Sequence, residues 1–239
     1  WWFPIPKEYL KKIFFASLIA NTLQYSITYT GLNYIDASAA VLLVQTEVPF
    51  GVIFAYFLLK EKPTIRSVVG IFIAFIGVYI LTGSPNLDGK FLGISLTILG
   101  SAIWALGQVI VKPLSKKINP IALVAWLALF AGPTLILLSN LIEGNTLDYI
   151  SSAKMDHWII AFYIGFIMQP ITYGCFYYVL KNNPLYKVLP IVTMGIPPTG
   201  LLAAIFLLGE KPTPELFIGG SIIIVGVILI IFKRTKKET

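Results

Sequence analysis

The chain has 239 residues, of which 57% are hydrophobic and only 12% charged, with a formal net charge of +7. A soluble domain carries roughly 25% charged residues, so there is too little charge here to build a water-facing surface, and disorder, collagen and coiled coil fail on the same count. One cysteine, Cys175, and one histidine, His157, exclude a disulfide framework and any multi-cysteine or histidine-cluster metal site.

Windows of about 20 residues give eight apolar spans. In chain order they are Ile13–Tyr34, Ala37–Leu59, Ser67–Thr82, Phe91–Val111, Ile121–Ile142, Trp158–Leu180, Val188–Leu208 and Leu216–Phe232. Each is apolar around its whole circumference, as a helix in lipid or in a packed bundle must be. The reading is an all-α integral membrane protein, multi-pass and in contact with the lipid bilayer. Short connections hold nearly every charge. If the chain alternates sides with its C-terminus in the cytoplasm, the inside holds all but three of the 18 basic residues, and the outside holds only Lys90, Lys154 and Lys211. That bias obeys the positive-inside rule and accounts for the net charge without nucleic acid. Residues 233–239 read as a basic cytoplasmic tail.

A shift of 149 residues aligns FLLKEKPT (Phe57–Thr64) with FLLGEKPT (Phe206–Thr213), and without a gap Pro49 meets Pro198, Gly51 meets Gly200, Gly70 meets Gly219 and Gly77 meets Gly226. Five spans separate the two copies, and an odd number inverts the second copy relative to the first. The turn at Glu61–Pro63 then faces the cytoplasm and that at Glu210–Pro212 the exterior. Inverted repeats characterise transporters that open alternately to either side, with substrate at the repeat interface. The two glutamates read as solvated loop ends, Thr64 and Thr213 as caps of the following helices, and the seven-residue glycine spacings as close helix packing. Cys175 reads as a small buried apolar residue.

The pattern Gln45-Thr-Glu47-Val-Pro49, then Leu58-Leu-Lys-Glu61-Lys-Pro-Thr64, Gly70 and Gly77-Val-Tyr-Ile80 resembles the end of an EamA domain. Pro197-Pro198 through Phe206–Thr213 to Gly219 and Gly226 resembles it again. The resemblance is to the EamA family of the drug/metabolite transporter superfamily. It implies two five-helix halves in inverted orientation and no cofactor. On that basis residues 1–83 correspond to the last three helices of a first repeat, and 90–232 to a complete second repeat. The first half shows three helices rather than five, so an absent N-terminal helix pair and a ten-helix whole protein are expected.

Catalytic signals are poor. Gly83–Phe91 is similar to a P-loop, but it has one residue too many between its glycines and ends in Phe where a Walker loop needs Ser or Thr. The expected function is therefore secondary transport of a small organic metabolite across the plasma membrane, with proton-coupled export among the options. A membrane-embedded enzyme, a receptor or a channel is the alternative.

Polar residues at membrane depth mark the candidate path. Asn21, Gln24 and Tyr29 lie in the first span, Gln45 in the second, Trp104 and Gln108 in the fourth, and Gln169 and Tyr173 in the sixth. Pro49, Pro170, Pro197 and Pro198 each remove a backbone donor, which marks sites of kinking or gating. No Lys or Arg falls in a span core, which weighs against phosphorylated substrates and leaves amino acids, nucleobases and hydrophobic solutes. Glu47 is the one charged residue in a span interior. It lies eight residues in from Ala39, roughly 12 Å at 1.5 Å per residue, where an uncompensated charge costs about 3 kcal/mol. It reads either as a substrate-binding or proton-coupling carboxyl, or as a packed group hydrogen-bonded to Asn21, Gln24 or Tyr29.

Overall fold

A computed structural model describes residues 5–84, 87–142, 144, 146–193 and 195–231. The basic tail at 233–239, and Pro85 and Asn86 within the P-loop-like stretch, lie outside the described residues.

The described residues are mostly helical, joined by short turns. The helices are α1 (Lys7–Ser17), α2 (Gln24–Leu32), α3 (Ala37–Val44), α4 (Glu47–Leu59), α5 (Ile65–Thr82), α6 (Phe91–Ser115), α7 (Pro120–Ile142), α8 (Thr146–Ser152), α9 (Met155–Phe162), α10 (Gln169–Asn182), α11 (Leu185–Thr193), α12 (Ile196–Leu208) and α13 (Pro214–Ile231). A π-helical turn joins α1 to α2 at Leu18–Leu23, and another joins α9 to α10 at Tyr163–Met168. Among the described residues six helical segments are long and apolar enough to cross a membrane: Ala37–Leu59, Ile65–Thr82, Phe91–Ser115, Pro120–Ile142, Met155–Asn182 and Leu185–Leu208. A shorter apolar helix covers Pro214–Ile230. The first predicted span is helical across Lys7–Leu32, but Asn21, Thr22, Gln24, Ser26, Thr28 and Thr30 make it more polar than the others. Much of that polarity is turned inward: Thr22 bonds Thr134 at 2.6 Å and Ser26 donates to its own backbone at Thr22. Large apolar side chains such as Phe57, Tyr79, Leu141 and Phe206 are exposed outward, which suits a lipid surface and no aqueous one.

The repeat is visible as a physical seam. Helix α5 shifted by 149 residues is α13, and the two pack along their length in opposite directions. A Cβ on Gly70 would lie 2.5 Å from the Gly226 carbonyl oxygen, and one on Gly77 would lie 2.7 Å from that of Gly219. The early part of one helix thus meets the late part of its copy, which makes the equivalent helices antiparallel and the repeat inverted. At the two ends Ser67 Oγ donates to the Ile230 carbonyl at 3.4 Å, and Ser84 bonds Thr213 at 2.6 Å. The same relation pairs α3 with α12 and α4 with α11. On α6, Gly93, Gly100 and Gly107 admit Tyr34, Thr28 and Ala20 of the first span and the turn after it.

The two EKPT turns share one backbone design. Lys60 and Gly209 end their helices in the left-handed region, at φ 56° and 69°. Glu61 N–H then closes onto the Ala55 carbonyl and Glu210 N–H onto that of Ala204, both at 3.1 Å, and the N–H of the left-handed residue before each glutamate reaches the same carbonyl. Thr64 Oγ1 accepts from Ser67 N–H at 3.2 Å, and Thr213 Oγ1 from Leu216 N–H at 3.4 Å, so both threonines cap the next helix. Cys175 corrects the sequence expectation: it is exposed, on the outward face of α10 between Gly174 and Phe176, which are buried.

Because two of the three nearest atoms that a Gly77 side chain would meet, Gly219 O and Ile223 N, are backbone, a rotamer change cannot relieve the clash. Gly77→Ala should cost about 1–3 kcal/mol and lower the thermal midpoint of the purified protein. Gly132→Ala, where a Cβ meets nothing within 4 Å, should leave the midpoint within experimental error.

Candidate functional site

The second predicted span is not one continuous helix. It breaks at Gln45–Thr46, between α3 and α4, because Pro49 has no N–H to donate to the carbonyl of Gln45. Val48 N–H takes that carbonyl instead at 3.1 Å, and Thr46 N–H reaches Leu43 at 3.0 Å. These tighter turns re-satisfy the backbone. The matching span breaks between α11 and α12, before Ile196-Pro197-Pro198. Pro49, Pro197 and Pro198 thus sit in the first turns of the second half-helices. Pro170 stands at the start of α10, immediately after the π-helical turn at Tyr163–Met168. Asn21 occupies the corresponding place in the first copy and is itself π-helical, so proline is not required for that turn.

A cavity of about 240 Å³ lies beside the first break. Glu47, in the first turn of α4, faces it together with Gln24, Trp104 and Tyr173. The positive end of a helix dipole favours a carboxylate there. Glu47 is only 5% exposed, and its Oε1 has no hydrogen-bond partner among the described residues. Gln24 Nε2 donates to Thr28 at 3.0 Å rather than to Glu47, while Gln24 Oε1 has no partner among the described residues. Trp104 Nε1 donates to the Tyr173 hydroxyl at 3.1 Å. The cavity therefore presents acceptor oxygens and aromatic faces.

The other candidate residues are distributed around this centre. Asn21, Gln169 and Tyr173 line an adjoining cavity of about 230 Å³, and Tyr29 and Gln169 line a larger recess of about 580 Å³ that reaches Asn33 at the end of α2. Gln45 and Gln108 are each 1% exposed, each with one unpartnered amide atom, Nε2 and Oε1 respectively. Neither lines these cavities. Three further groups join the site: Tyr25, Ser101 and Thr193. Tyr25 borders all three spaces, stacks on Tyr29 at 5.6 Å and accepts from Gln169 Nε2 at 3.1 Å. Its signal was its helical register, one turn from both Asn21 and Tyr29.

Neither EKPT glutamate is a solvated loop end, which corrects that expectation. Glu61 pairs with Lys112, whose side chain is only 7% exposed, and its other oxygen accepts from Tyr186 N–H at 3.5 Å. Glu210 accepts from Ala37 N–H at 2.8 Å and Ser38 N–H at 2.9 Å. Tyr186 is the 149-residue counterpart of Ala37, so each copy's glutamate meets the first turn of the broken helix in the other copy. Asp36 immediately precedes α3 yet makes no cap, since it pairs with Lys90 at 3.1 Å. Partial burial raises the Glu210 pKa, but hydrogen bonds from Ser38 and Ala37 and the charge of Lys90 outweigh that and hold it below its ordinary value of 4.5.

The EamA-like transporter family matches residues 1–83 and 91–232. A protein of Clostridium kluyveri named an uncharacterized transporter is 26% identical over 90% of this chain and 68% of its own length. A probable amino-acid metabolite efflux pump of Escherichia coli is 26% identical over 95% of this chain and 78% of its own. A crystal structure shares the fold at a TM-score of 0.60 and 16% identity, covering 95% of this chain and 77% of that one.

A depressed carboxyl pKa stabilises the fold above the ordinary value, and that contribution is lost as pH falls through the lowered one. The thermal midpoint should therefore drop as pH is taken below about 4.5. Glu210→Gln should lower the midpoint at neutral pH, with a stability loss of about 1 kcal/mol, and flatten the acid limb. Parallel acid limbs in the two proteins would assign the dependence to other carboxylates.

Proposed function

The chain belongs to the EamA-like transporter family, and we propose that it moves a small organic metabolite across the plasma membrane by alternating access, with Glu47 coupling that movement to protons. Transport of a small molecule by a multi-pass membrane protein follows from the family. The carboxyl of Glu47, buried with an unpartnered oxygen in a cavity beside a broken helix, is the observation that carries the finer reading. A carboxyl there exchanges a proton without breaking an ion pair, and it faces the space a substrate would occupy. Ile196 stands at the matching position of the second copy, so the proposed coupling is one-sided.

The contacts that flank the cavity support two gates. With the C-terminus cytoplasmic, the spaces that share Tyr25 lead towards the exterior at Asn33, while Glu61, Lys112 and Tyr186 hold the cytoplasmic side. Glu210 on the amides of Ala37 and Ser38 is the corresponding tie at the exterior end. Releasing one tie while the other holds would open the cavity to one side at a time. The amino-acid metabolite named for the Escherichia coli relative suits a cavity of about 240 Å³, and an exporter of amino acids or their metabolites is the substrate reading we favour.

Glu47→Gln keeps the shape and hydrogen bonding of the side chain but cannot ionise. In proteoliposomes the variant should still exchange an amino-acid substrate across the membrane, yet fail to accumulate it against a pH gradient. Unchanged gradient-driven accumulation would reduce Glu47 to a structural residue.

A further inference from the structure

At the end of the bundle opposite Asn33, a recess of about 670 Å³ opens between the α4–α5 turn and the ends of α6 and α10. Four lysines converge on it: Lys62 from the turn, Lys112 from α6, Lys116 just past its end, and Lys181 from α10. Glu61 is the one carboxylate on its wall, and its oxygens are engaged by Lys112 and by Tyr186 N–H. Lys62, Lys116 and Lys181 face the same space with no acidic partner at ion-pair distance among the described residues. Ammonium groups gathered in a concavity repel one another, and low-dielectric walls concentrate their field.

Membrane sidedness accounts for lysines at this end of the chain but not for their convergence. Lys12 and Lys117 belong to the same end yet lie over the ring of Tyr9, and Lys187 lies over that of Tyr186. None of these three lysines lines the recess, although the Tyr186 ring beneath Lys187 does. Nor is the cluster a requirement of the fold, because the repeat puts Leu32 where Lys181 stands.

We propose that this recess binds a phosphate-bearing anion, at a site separate from the central cavity that shares its wall with the Glu61–Lys112 pair. Several lysine point charges from three elements suit the distributed oxygens of a phosphate. The bound group would tie the turn after α4 to the ends of α6 and α10, and so favour the arrangement seen here. Two sources supply that chemistry: the headgroup of an anionic lipid in the adjoining leaflet, or a soluble phosphoester.

The full chain in neutral detergent with phosphatidylcholine is titrated with pyrophosphate at ionic strength matched by chloride, and its thermal midpoint is read. In parallel, nanodiscs of phosphatidylcholine are compared with nanodiscs containing phosphatidylglycerol. A midpoint that rises with pyrophosphate identifies a soluble anion, and one that rises only with phosphatidylglycerol identifies a lipid headgroup. In either case Lys116→Gln/Lys181→Gln should weaken the response roughly tenfold or more, and Lys62→Gln less. Lys7→Gln/Lys11→Gln, which removes equal charge outside the recess, should leave the response intact. No rise with either probe, or equal loss in both double variants, would overturn the proposal.

Discussion

Backbone against backbone at the α5–α13 seam is the contact on which the rest of the structure depends. Gly70, Gly77, Gly219 and Gly226 bring the backbones of the two helices into direct approach, and in lipid such close packing replaces the hydrophobic drive that holds soluble helices together. Because the paired helices are copies of one another and run antiparallel, the seam imposes the two-fold relation on everything attached to it. Helices α3 and α4 must then meet α12 and α11, and the two broken spans are brought together in the interior. The cavity beside Glu47 is a consequence of that exchange.

A second constraint is the absence of water. A helix broken at membrane depth leaves carbonyls that only protein can satisfy. The chain meets this locally, with Val48 and Thr46 closing tighter turns at the first break. At the starts of the broken spans the free N–H groups are met across the repeat, with Glu61 and Glu210 each accepting from the first turn of the other copy. These reciprocal contacts join the two halves at opposite ends of the bundle, where a rocking motion would have to part them. The glutamates of the repeated turn are thus structural ties as much as loop residues.

Periodicity, charge and self-similarity in the sequence carried most of the architecture. The apolar runs and the 149-residue shift point to an inverted helical bundle, and the glycine spacings point to close packing. Prolines 49, 197 and 198 mark the breaks. Less of the site was readable. Glu47, Gln24, Trp104 and Tyr173 share the central cavity, but Gln45 and Gln108 turn into the packing and Tyr29 stands in the outer recess. Which face of an all-apolar helix turns inward depends on neighbours that periodicity cannot name. The same reason hides Tyr25 among several tyrosines, and it misplaced Cys175. Asp36 has the type and position of a helix cap, yet Glu210, 174 residues further along, takes that role and Lys90 takes Asp36. Long-range partners of this kind leave no local trace.

The proposed alternating access requires the cavity between the two copies to open to each side of the membrane in turn. Thr193, which lines that cavity and is 2% exposed, is the position to test it. A single cysteine there, in a Cys175→Ser background, is treated in proteoliposomes with a membrane-impermeant thiol reagent applied to one face and then, separately, to the other. Alternating access gives labelling from both faces, slowed by transported substrate in each case. Labelling from one face alone, under all conditions of substrate and pH, would contradict it.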